Sequence, residues 1–340
     1  MKDQSMMNDL SMPSRRRLLM TLAASTAPGL GWGQSAAPLD KITVAGWSRP
    51  ITEIMPLLVD PDKGFYRARG IDLEFIPGAG GGDAIRNILS GQADLAFTDP
   101  GSLFSALDKG EKLRAVYDIY PQNVFNVVSL RTSGIRTPAD LKGKRIGVYS
   151  LASGTRQNLL MLLHMAGLSE SDVTVLVTGV LNFAPLLQGQ VDATAATDTG
   201  LLVGRRRGLG ELNVIEVAQF LNVSSDLFVV REETYERRKD VLRRFLRAYR
   251  DAAAWMIEKP QEAAALAVKR ALDGTDPELN LGIIGLRNAA TVSDLTRRMG
   301  LGALDVGSLQ RAADVYRQLK LVQRPIDMTQ VVAPDLLPAS

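Results

Sequence analysis

The sequence predicts an α/β protein with two similar halves, each a mostly parallel sheet flanked by helices. Short apolar segments rich in β-branched residues alternate with segments of helical spacing, separated by turns of small residues. The pattern Gly-Gln-apolar-Asp, then a small or apolar strand and Thr-Asp, occurs at 91–99 and again at 189–198. Of the 340 residues, 46% are hydrophobic and 23% charged, a composition typical of a chain that folds around a large core.

The first half repeats a strand–turn–helix unit three times. Strands are predicted at 41–45, 71–76 and 93–97, with a further strand at 113–120. Helices are predicted at 51–59, 84–89 and 102–109. The turns at 46–50, 78–83 and 98–101 follow the carboxyl ends of these strands, so we expect them along one edge of the sheet.

The stretch 141–167 contains the clearest unit of the second half. Residues 145–149 are typical of a buried strand, 150–155 form a turn of small polar residues, and 156–166 have helical spacing. The first N–H groups of a helix lack an intrahelical partner and carry partial positive charge. The hydroxyls of Ser150, Ser153 and Thr155 therefore either help to bind an anion or cap their own helix, and the pattern does not decide between these alternatives.

The remaining elements complete the two halves. Residues 123–130 are extended, and Thr137 before Pro138 begins a short helix. A strand at 173–177, a helix at 181–188 and a strand ending in Thr197-Asp198 follow, and 225–231 is a returning strand. The chain is then helical at 234–258, 260–271, 278–288 and 308–319, before a proline-rich tail at 327–340.

Residues 1–37 are predicted to be an export signal. Ser-Arg-Arg-Arg-Leu-Leu-Met at 14–20 resembles the twin-arginine motif, an apolar segment follows at 18–30, and small residues at 33–37 offer cleavage sites. An ordinary Sec signal is the alternative. Because the chain has no cysteine, we expect neither disulfides nor a lipid anchor. These features predict a periplasmic protein, exported and cleaved.

The net charge and the single histidine argue against nucleic-acid binding and against histidine-based catalysis. Without residues 1–37 the chain keeps 36 basic and 35 acidic residues, a net charge of +1 that gives no reason to expect a nucleic-acid partner. The single histidine, His164, lies late in a predicted helix, so a histidine-based catalytic triad is not expected. We predict no catalytic residue, no metal site, no cofactor and no enzyme activity.

Five motifs, in this order and spacing, resemble a known family. They are Gly-Phe-Tyr at 64–66 with Gly-Ile-Asp-Leu-Glu at 70–74, Gly-Gly-Gly-Asp-Ala-Ile at 80–85, Gly-Gln-Ala-Asp-Leu-Ala at 91–96, Asp-Leu-Lys-Gly-Lys-Arg-Ile-Gly-Val at 140–148 and Gln-Gly-Gln-Val-Asp-Ala at 188–193. The chain resembles the periplasmic substrate-binding proteins of ABC importers for nitrate, sulfonates, taurine and thiamine pyrimidine precursors. This is the sulfonate-binding and thiamine-pyrimidine-synthesis-like family.

The resemblance implies the two-lobe, type II periplasmic binding protein fold, with a ligand cleft between the lobes. The first part of lobe 1 would be 38–124, lobe 2 would be 125–224, and 225–340 would return to lobe 1 and add the C-terminal helices. The crossings between lobes would lie near 122–126 and 221–226. Carried over by position, the ligand-binding residues would be Trp47, Ser48, Gly81, Gly82, Thr98, Asp99, Asn126, Ser150, Ser153, Gly154, Thr155 and Asp198.

The implied function is capture of a small organic anion, such as a sulfonate, nitrate or taurine, for an ABC permease and its ATPase. Arg49, Arg156 and the helix N-termini favour an anion. Asp99 and Asp198 instead suit N–H donors of a pyrimidine or other aromatic molecule, on which Trp47 would stack. An enzyme of thiamine-pyrimidine synthesis on the same fold is a further alternative, and so is a sensor without a permease.

Overall fold

The computed structural model describes residues 38–179 and 183–337, so the predicted export signal lies outside the described residues. The strands are β1 Asp40–Ala45, β2 Ile71–Ile76, β3 Leu95–Thr98, β4 Leu113–Tyr120, β5 Phe125–Leu130, β6 Arg145–Val148, β7 Thr174–Val177, β8 Ala193–Thr197, β9 Leu212–Glu216 and β10 Asp226–Arg231. The α-helices are α1 Met55–Leu58, α2 Asp60–Lys63, α3 Gly81–Leu89, α4 Pro100–Asp108, α5 Gly154–Met165, α6 Ala184–Leu187, α7 Asp198–Arg206, α8 Glu232–Arg237, α9 Lys239–Glu258, α10 Pro260–Arg270, α11 Pro277–Thr291, α12 Asp294–Met299, α13 Val306–Gln318 and α14 Met328–Val331.

Two five-stranded sheets form the two lobes. In lobe 1 the strand order is β2-β1-β3-β10-β4, and in lobe 2 it is β7-β6-β8-β5-β9. In each sheet one strand, β10 or β5, runs antiparallel to both neighbours. These are the two strands that the chain enters directly after crossing from the other lobe. The prediction of two similar α/β halves in a periplasmic binding protein fold is confirmed.

The Gly-Gln-apolar-Asp repeat makes the same contact in both sheets. Asp94 Oδ2 accepts a hydrogen bond from the peptide N–H of Thr43 in β1 at 2.9 Å, and the Asp94 N–H donates to the Thr43 carbonyl at 2.8 Å. Asp192 makes the same reciprocal pair with Arg145 in β6, at 2.8 Å for both bonds. The repeated aspartates therefore fix β3 and β8 to their parallel neighbours.

The chain crosses between the sheets at 121–124 and 217–225. Ser225 joins the two crossings, because its N–H donates to the Tyr120 carbonyl at 2.8 Å and its Oγ accepts from the Val124 N–H at 3.2 Å. These segments overlap the crossings that the resemblance implies. The domain limits at 124 and 224 stay a prediction.

Both faces of the central strands in each sheet are buried, as the apolar strands predict. In β10, Phe228 and Val230 pack on the face covered by α9, while Leu227 and Val229 pack on the face covered by α4 and α13. In lobe 2, Val127 packs with the apolar side of α5. The turns at the carboxyl ends of the strands are thereby held on rigid elements.

The predicted helix at 234–258 is instead two helices, α8 and α9, which meet at Arg238. Arg238 leaves helical geometry (φ −123°, ψ 26°), and its guanidinium group contacts the carboxylate of Asp94 and the carbonyl of Lys41. In place of the single helix predicted at 51–59, the chain forms a 3₁₀ turn at Thr52–Ile54 followed by α1. Of the helix predicted at 181–188, the structure describes α6, Ala184–Leu187. Among the described residues, no helix is both long and apolar enough to span a membrane.

Candidate functional site

The turns after β1 and β2 meet at the edge of lobe 1 that faces lobe 2. The Gly78 N–H donates to the Ser48 carbonyl at 3.1 Å, and the Gly80 N–H donates to the Trp47 carbonyl at 2.7 Å. Trp47 is half-buried, and Ser48 is buried. The turns therefore lie together, as the strand order predicts.

The two lobes touch where α3 begins. The Gly82 N–H donates to the Ala152 carbonyl of lobe 2 at 3.0 Å, and Ser150 Oγ donates to the Ala79 carbonyl of lobe 1. We call this contact, formed by residues 79–82 and 150–152, the glycine seam. It shows that the lobes are closed on each other in this structure.

Two glycines permit the close approach along this side of the cleft. A Cβ at Gly81 would lie 2.2 Å from Asp99 Oδ2, and a Cβ at Gly154 would lie 2.6 Å from the Phe125 ring. The same Cβ at Gly154 would lie 3.2 Å from the Cβ of Asp99 in the other lobe. Larger side chains at these positions would push the lobes or their turns apart.

Asp99 caps helix α4. Its Oδ1 accepts from the Ser102 N–H at 2.9 Å and its Oδ2 from Ser102 Oγ at 2.7 Å, while the preceding Thr98 Oγ1 donates to the Gly81 carbonyl at 3.0 Å. Burial raises the pKa of the Asp99 carboxyl, and the hydrogen bonds from Ser102 partly offset that rise. Both carboxylate oxygens therefore have a structural role.

Ser153 caps helix α5, and Thr155 holds the turn that precedes it. Ser153 Oγ accepts from the Arg156 N–H at 3.5 Å and from the Ser150 N–H at 3.2 Å. Thr155 Oγ1 accepts from the Tyr149 N–H at 3.0 Å and lies 2.7 Å from Ser153 Oγ. Of the two alternatives that the sequence left open for these hydroxyls, the structure shows the cap. Contact with a ligand stays a prediction.

Arg49 and Arg156, the two arginines that favour an anion, lie in different surroundings. Arg156 forms a bidentate ion pair with Glu170, at 2.8 and 2.5 Å, so its charge is neutralised within lobe 2. Arg49 is exposed. Neither arginine is therefore an unpaired, buried cation at the glycine seam.

A second contact between the lobes is built on Arg287 of α11, which is 1% exposed. Its guanidinium group contacts Asp198 Oδ1 at the start of α7, lies 3.8 Å from Glu53 Oε2 and sits over the Tyr120 ring at 5.0 Å from its centroid. Thr199 Oγ1 donates to Glu53 Oε1 at 2.7 Å. We call this contact, formed by Glu53, Asp198, Thr199 and Arg287, the ion-pair seam.

The ion-pair seam contains three residues that sequence reasoning missed, Glu53, Thr199 and Arg287. Burial raises the pKa of the Glu53 carboxyl, and the charge of Arg287 and the hydrogen bond from Thr199 offset part of that rise. No local pattern singles these residues out, because they lie in an ordinary turn and in ordinary helices. Asp198, expected to contact ligand, is paired with Arg287 across the lobes, and its contact with a ligand stays a prediction.

Four buried polar atoms beside the cleft have no hydrogen-bond partner among the described residues. They are Trp47 Nε1, Glu53 Oε2, Asn126 Oδ1 and Arg287 Nε; the three others of this kind belong to Tyr117, Arg231 and Asn288. A buried polar atom without a partner costs about 1–3 kcal/mol, so such atoms call for an explanation. Two of the four beside the cleft are donors and two are acceptors.

A row of aromatic rings connects the two seams along lobe 1. Ring centroids lie 6.2 Å apart for Trp47 and Phe97 and 6.1 Å apart for Phe97 and Tyr120, and Tyr120 lies under Arg287. Tyr120 Oη donates to the Glu53 carbonyl at 2.9 Å. The row therefore links three of the residues that carry unpartnered atoms, Trp47, Glu53 and Arg287.

Buried carboxyl groups surround the crossings. Asp118 Oδ1 accepts from Ser224 Oγ at 2.5 Å, and burial raises the pKa of Asp118 to about 8, although that hydrogen bond lowers it. Burial also raises the pKa of Asp226 well above its ordinary value, with the charges of Asp99, Glu53 and Asp118 adding to the rise. Burial therefore disfavours the charged form of both carboxyl groups.

Within residues 38–179 and 183–337, no group of three or more histidine, aspartate or glutamate side chains is arranged to hold a metal ion. His164 lies in the last turn of α5, away from the cap at its start.

Curated relatives include both binding proteins and enzymes. The riboflavin-binding protein RibY of Chloroflexus aurantiacus is 25% identical over 325 residues, which cover 92% of this chain and 91% of the relative. The 4-amino-5-hydroxymethyl-2-methylpyrimidine phosphate synthase of Schizosaccharomyces pombe is 24% identical over 219 residues, 61% of this chain and 62% of the enzyme.

Solved structures share the fold at lower identity. A protein of Bordetella bronchiseptica has a TM-score of 0.72 at 22% identity, covering 87% of this chain and 95% of that one. The alkanesulfonate-binding protein SsuA of Xanthomonas axonopodis, bound to MOPS, has a TM-score of 0.70 at 18% identity, covering 88% and 100%. The ligand-binding component of an ABC-type import system of Staphylococcus aureus has a TM-score of 0.64 at 15% identity, covering 87% and 97%.

The family described as NMT1/THI5 like matches residues 51–263, which include β2 to β10 and most of both seams. The strand order and the two lobes agree with the structures just described. This chain belongs to the NMT1/THI5-like family and has the two-lobe fold of periplasmic binding proteins.

Proposed function

We propose that this protein is an extracytoplasmic solute-binding protein that encloses a small molecule between its lobes and delivers it to an ABC permease. Three points support this proposal: the fold, the family, and the likeness to a riboflavin-binding protein over 92% of the chain. A ligand drives closure only through contacts that are better in the closed state. The contact between the lobes at both seams supports the existence of such a closed state.

The ligand class that the cleft favours is an aromatic heterocycle with N–H donors. The observation that carries this proposal is the pair of buried acceptors without a donor, Glu53 Oε2 and Asn126 Oδ1, together with the unpartnered Trp47 Nε1. A heterocycle with N–H groups and ring acceptors would satisfy both kinds of atom. Its flat face suits the aromatic row that begins at Trp47.

An organic anion, the class favoured by the sequence, finds less support in the geometry. Arg156 is paired with Glu170, Arg287 is paired with Asp198, and the Gly82 N–H at the start of α3 is bonded to Ala152. Apart from Trp47 Nε1 and Arg287 Nε, which have no hydrogen-bond partner among the described residues, an anion would compete for donors that the closed protein already uses. The anion therefore stays a prediction that the following experiment tests.

A thermal-shift panel with the chain from residue 38 onwards distinguishes the ligand classes. The panel contains riboflavin, 4-amino-5-hydroxymethyl-2-methylpyrimidine, taurine, an alkanesulfonate and nitrate. A ligand at 100 times its dissociation constant stabilises the folded state by about 2.7 kcal/mol, which raises Tm by a few degrees. We expect the shift from a heterocycle. A shift from sulfonates alone would support the anion instead.

Enzyme relatives make catalysis the alternative to test in the same samples. The Schizosaccharomyces pombe relative is named as a synthase, and this chain spans 62% of its length. Analysis of each ligand by mass spectrometry after incubation should recover it unchanged, whereas ligand consumed with time would support an enzyme.

Export through the twin-arginine pathway is part of the same proposal. The supporting feature is the motif at 14–20. Cell fractionation should find the wild-type protein in the periplasm and the double variant Arg15→Lys, Arg16→Lys in the cytoplasm. Periplasmic recovery of the double variant would support the Sec route.

A further inference from the structure

Helices α7 and α11 carry two ion pairs across the lobes, in very different surroundings. At one end Arg206 and Glu278 are 3.0 Å apart, with side chains that are 49% and 77% exposed. At the other end Arg287 pairs with Asp198, with side chains that are 1% and 30% exposed. The same two helices therefore present one solvated pair and one buried pair.

The buried pair is tied into both lobes. Arg287 also lies 3.8 Å from Glu53, and Thr199 of lobe 2 donates to the other Glu53 oxygen at 2.7 Å. Thr199 is 1% exposed, so this hydrogen bond is also shielded from water. Lobe 2 thus contributes an acceptor for Arg287 and a donor for Glu53.

Separation of the lobes would break both contacts at once. Asp198 would leave Arg287, and Glu53 would lose the hydroxyl of Thr199. Buried ionic groups that lose a partner are costly, whereas exposed ion pairs contribute little. The buried pair therefore favours the closed arrangement, and the exposed pair has little effect.

We propose that Glu53, Asp198, Thr199 and Arg287 form a latch that keeps the lobes predominantly closed before any ligand arrives. Ligand entry then requires the latch to open, and closure over the ligand remakes it. Arg287 is a positioning residue in this account, because it acts by holding the lobes together. The latch belongs to the ligand-free protein, so it is testable whether or not the proposed ligand class is right.

The experiment measures the lobe separation of the ligand-free protein. The chain contains no cysteine, so Ser90→Cys and Ser171→Cys introduce a unique pair of exposed labelling sites, one in each lobe. Spin labels at these sites report the distribution of lobe separations by pulsed electron paramagnetic resonance. Small-angle X-ray scattering of the unlabelled protein measures the radius of gyration independently.

Asp198→Asn removes the charge that pairs with Arg287, Thr199→Val removes the hydroxyl that donates to Glu53, and both keep the size of the side chain. We expect a single short distance in the wild type and an open, longer-distance population that is about tenfold larger in each variant, since each weakens one buried contact of a charged group across the lobes. Arg206→Gln breaks the exposed pair on the same helices and should leave the distribution unchanged. Circular dichroism verifies that each variant is folded.

Three results would overturn the latch. One is a ligand-free wild type that already shows the longer distance as its main population. A second is a folded Asp198→Asn variant whose distances and radius of gyration equal those of the wild type. The third is an Arg206→Gln control that opens the lobes as much as Asp198→Asn does. In that case any contact between α7 and α11 would have the same effect, and the buried pair would have no special role.

Discussion

Asp99 illustrates how a residue predicted to contact ligand can have a structural role where the lobes meet. Both of its oxygens accept hydrogen bonds from Ser102, and it lies against Gly81 and Gly154. The type of residue and its position after β3 were predictable from the Thr-Asp pattern. Its use as a helix cap depends on Ser102, which lies only three residues further on.

We predict that Asp99→Ala lowers the free energy of unfolding by about 1–3 kcal/mol, because α4 loses its N-cap and the buried Ser102 loses its acceptor. Urea denaturation measures the change. The control is Asp72→Ala, which removes an exposed carboxylate from β2. An unchanged unfolding midpoint for Asp99→Ala would exclude the capping role.

Asp118 makes stability depend on pH. Its folded-state pKa is raised to about 8 by burial, above an ordinary value of 3.8, so between these limits the folded state binds more protons than the unfolded state. Its contribution to stability is complete below about pH 4 and is lost as the pH rises through 8, with a slope of up to about 1.4 kcal/mol per pH unit.

Asp118→Asn keeps an acceptor for Ser224 and removes this titration. We therefore expect the difference in unfolding free energy between the wild type and the variant to shift in favour of the variant from pH 5 to pH 8. Denaturation curves at several pH values measure it. A difference that stays constant over this range would show that Asp118 does not titrate as its burial indicates.

The contacts of Glu53 and Arg287 could not be predicted from the sequence, because their partners are distant along the chain. Thr199 lies 146 residues from Glu53, and Asp198 lies 89 residues from Arg287. Such pairs are set by how the lobes close, and no local spacing records that arrangement. The turns that contain Trp47, Ser150 and Ser153 were predictable because strand, turn and helix follow one another along the chain.

At the scale of elements, the repeated aspartates were the best guide in the sequence. Asp94 and Asp192 occupy equivalent places, and each pairs with the backbone of the neighbouring strand. The alternation of strands and helices was also predictable, because it depends on local patterns in the sequence. The break between α8 and α9 was not predictable, because Arg238 leaves the helix to bind Asp94, which lies 144 residues away.

The two aspartates should differ in importance. Asp94 pairs with Arg238, whose side chain is 30% exposed, whereas Asp192 pairs with Arg145, which is 45% exposed. We expect Asp94→Asn to lower the free energy of unfolding by about 1–3 kcal/mol and Asp192→Asn by less, because the exposed pair is better solvated. Differential scanning calorimetry compares them, and an equal or reversed order would contradict this ranking.

At the scale of the whole molecule, two lobes meet at the glycine seam and the ion-pair seam. The aromatic row from Trp47 to Tyr120 connects these contacts. The two-lobe fold was predictable from the motifs and their order. Closure was implied only by resemblance, and the ligand class depends on atoms that only the closed arrangement buries.

The most direct measurement is a calorimetric titration with the heterocycle that gives the largest thermal shift, compared with its N-methylated derivative. In our account, an N–H group of the heterocycle donates a hydrogen bond to a buried acceptor, Glu53 Oε2 or Asn126 Oδ1. Methylation should therefore weaken binding at least about tenfold, the loss expected when a buried acceptor stays unpaired. Equal affinity for the two compounds, or tighter binding of an alkanesulfonate than of any heterocycle, would contradict the account.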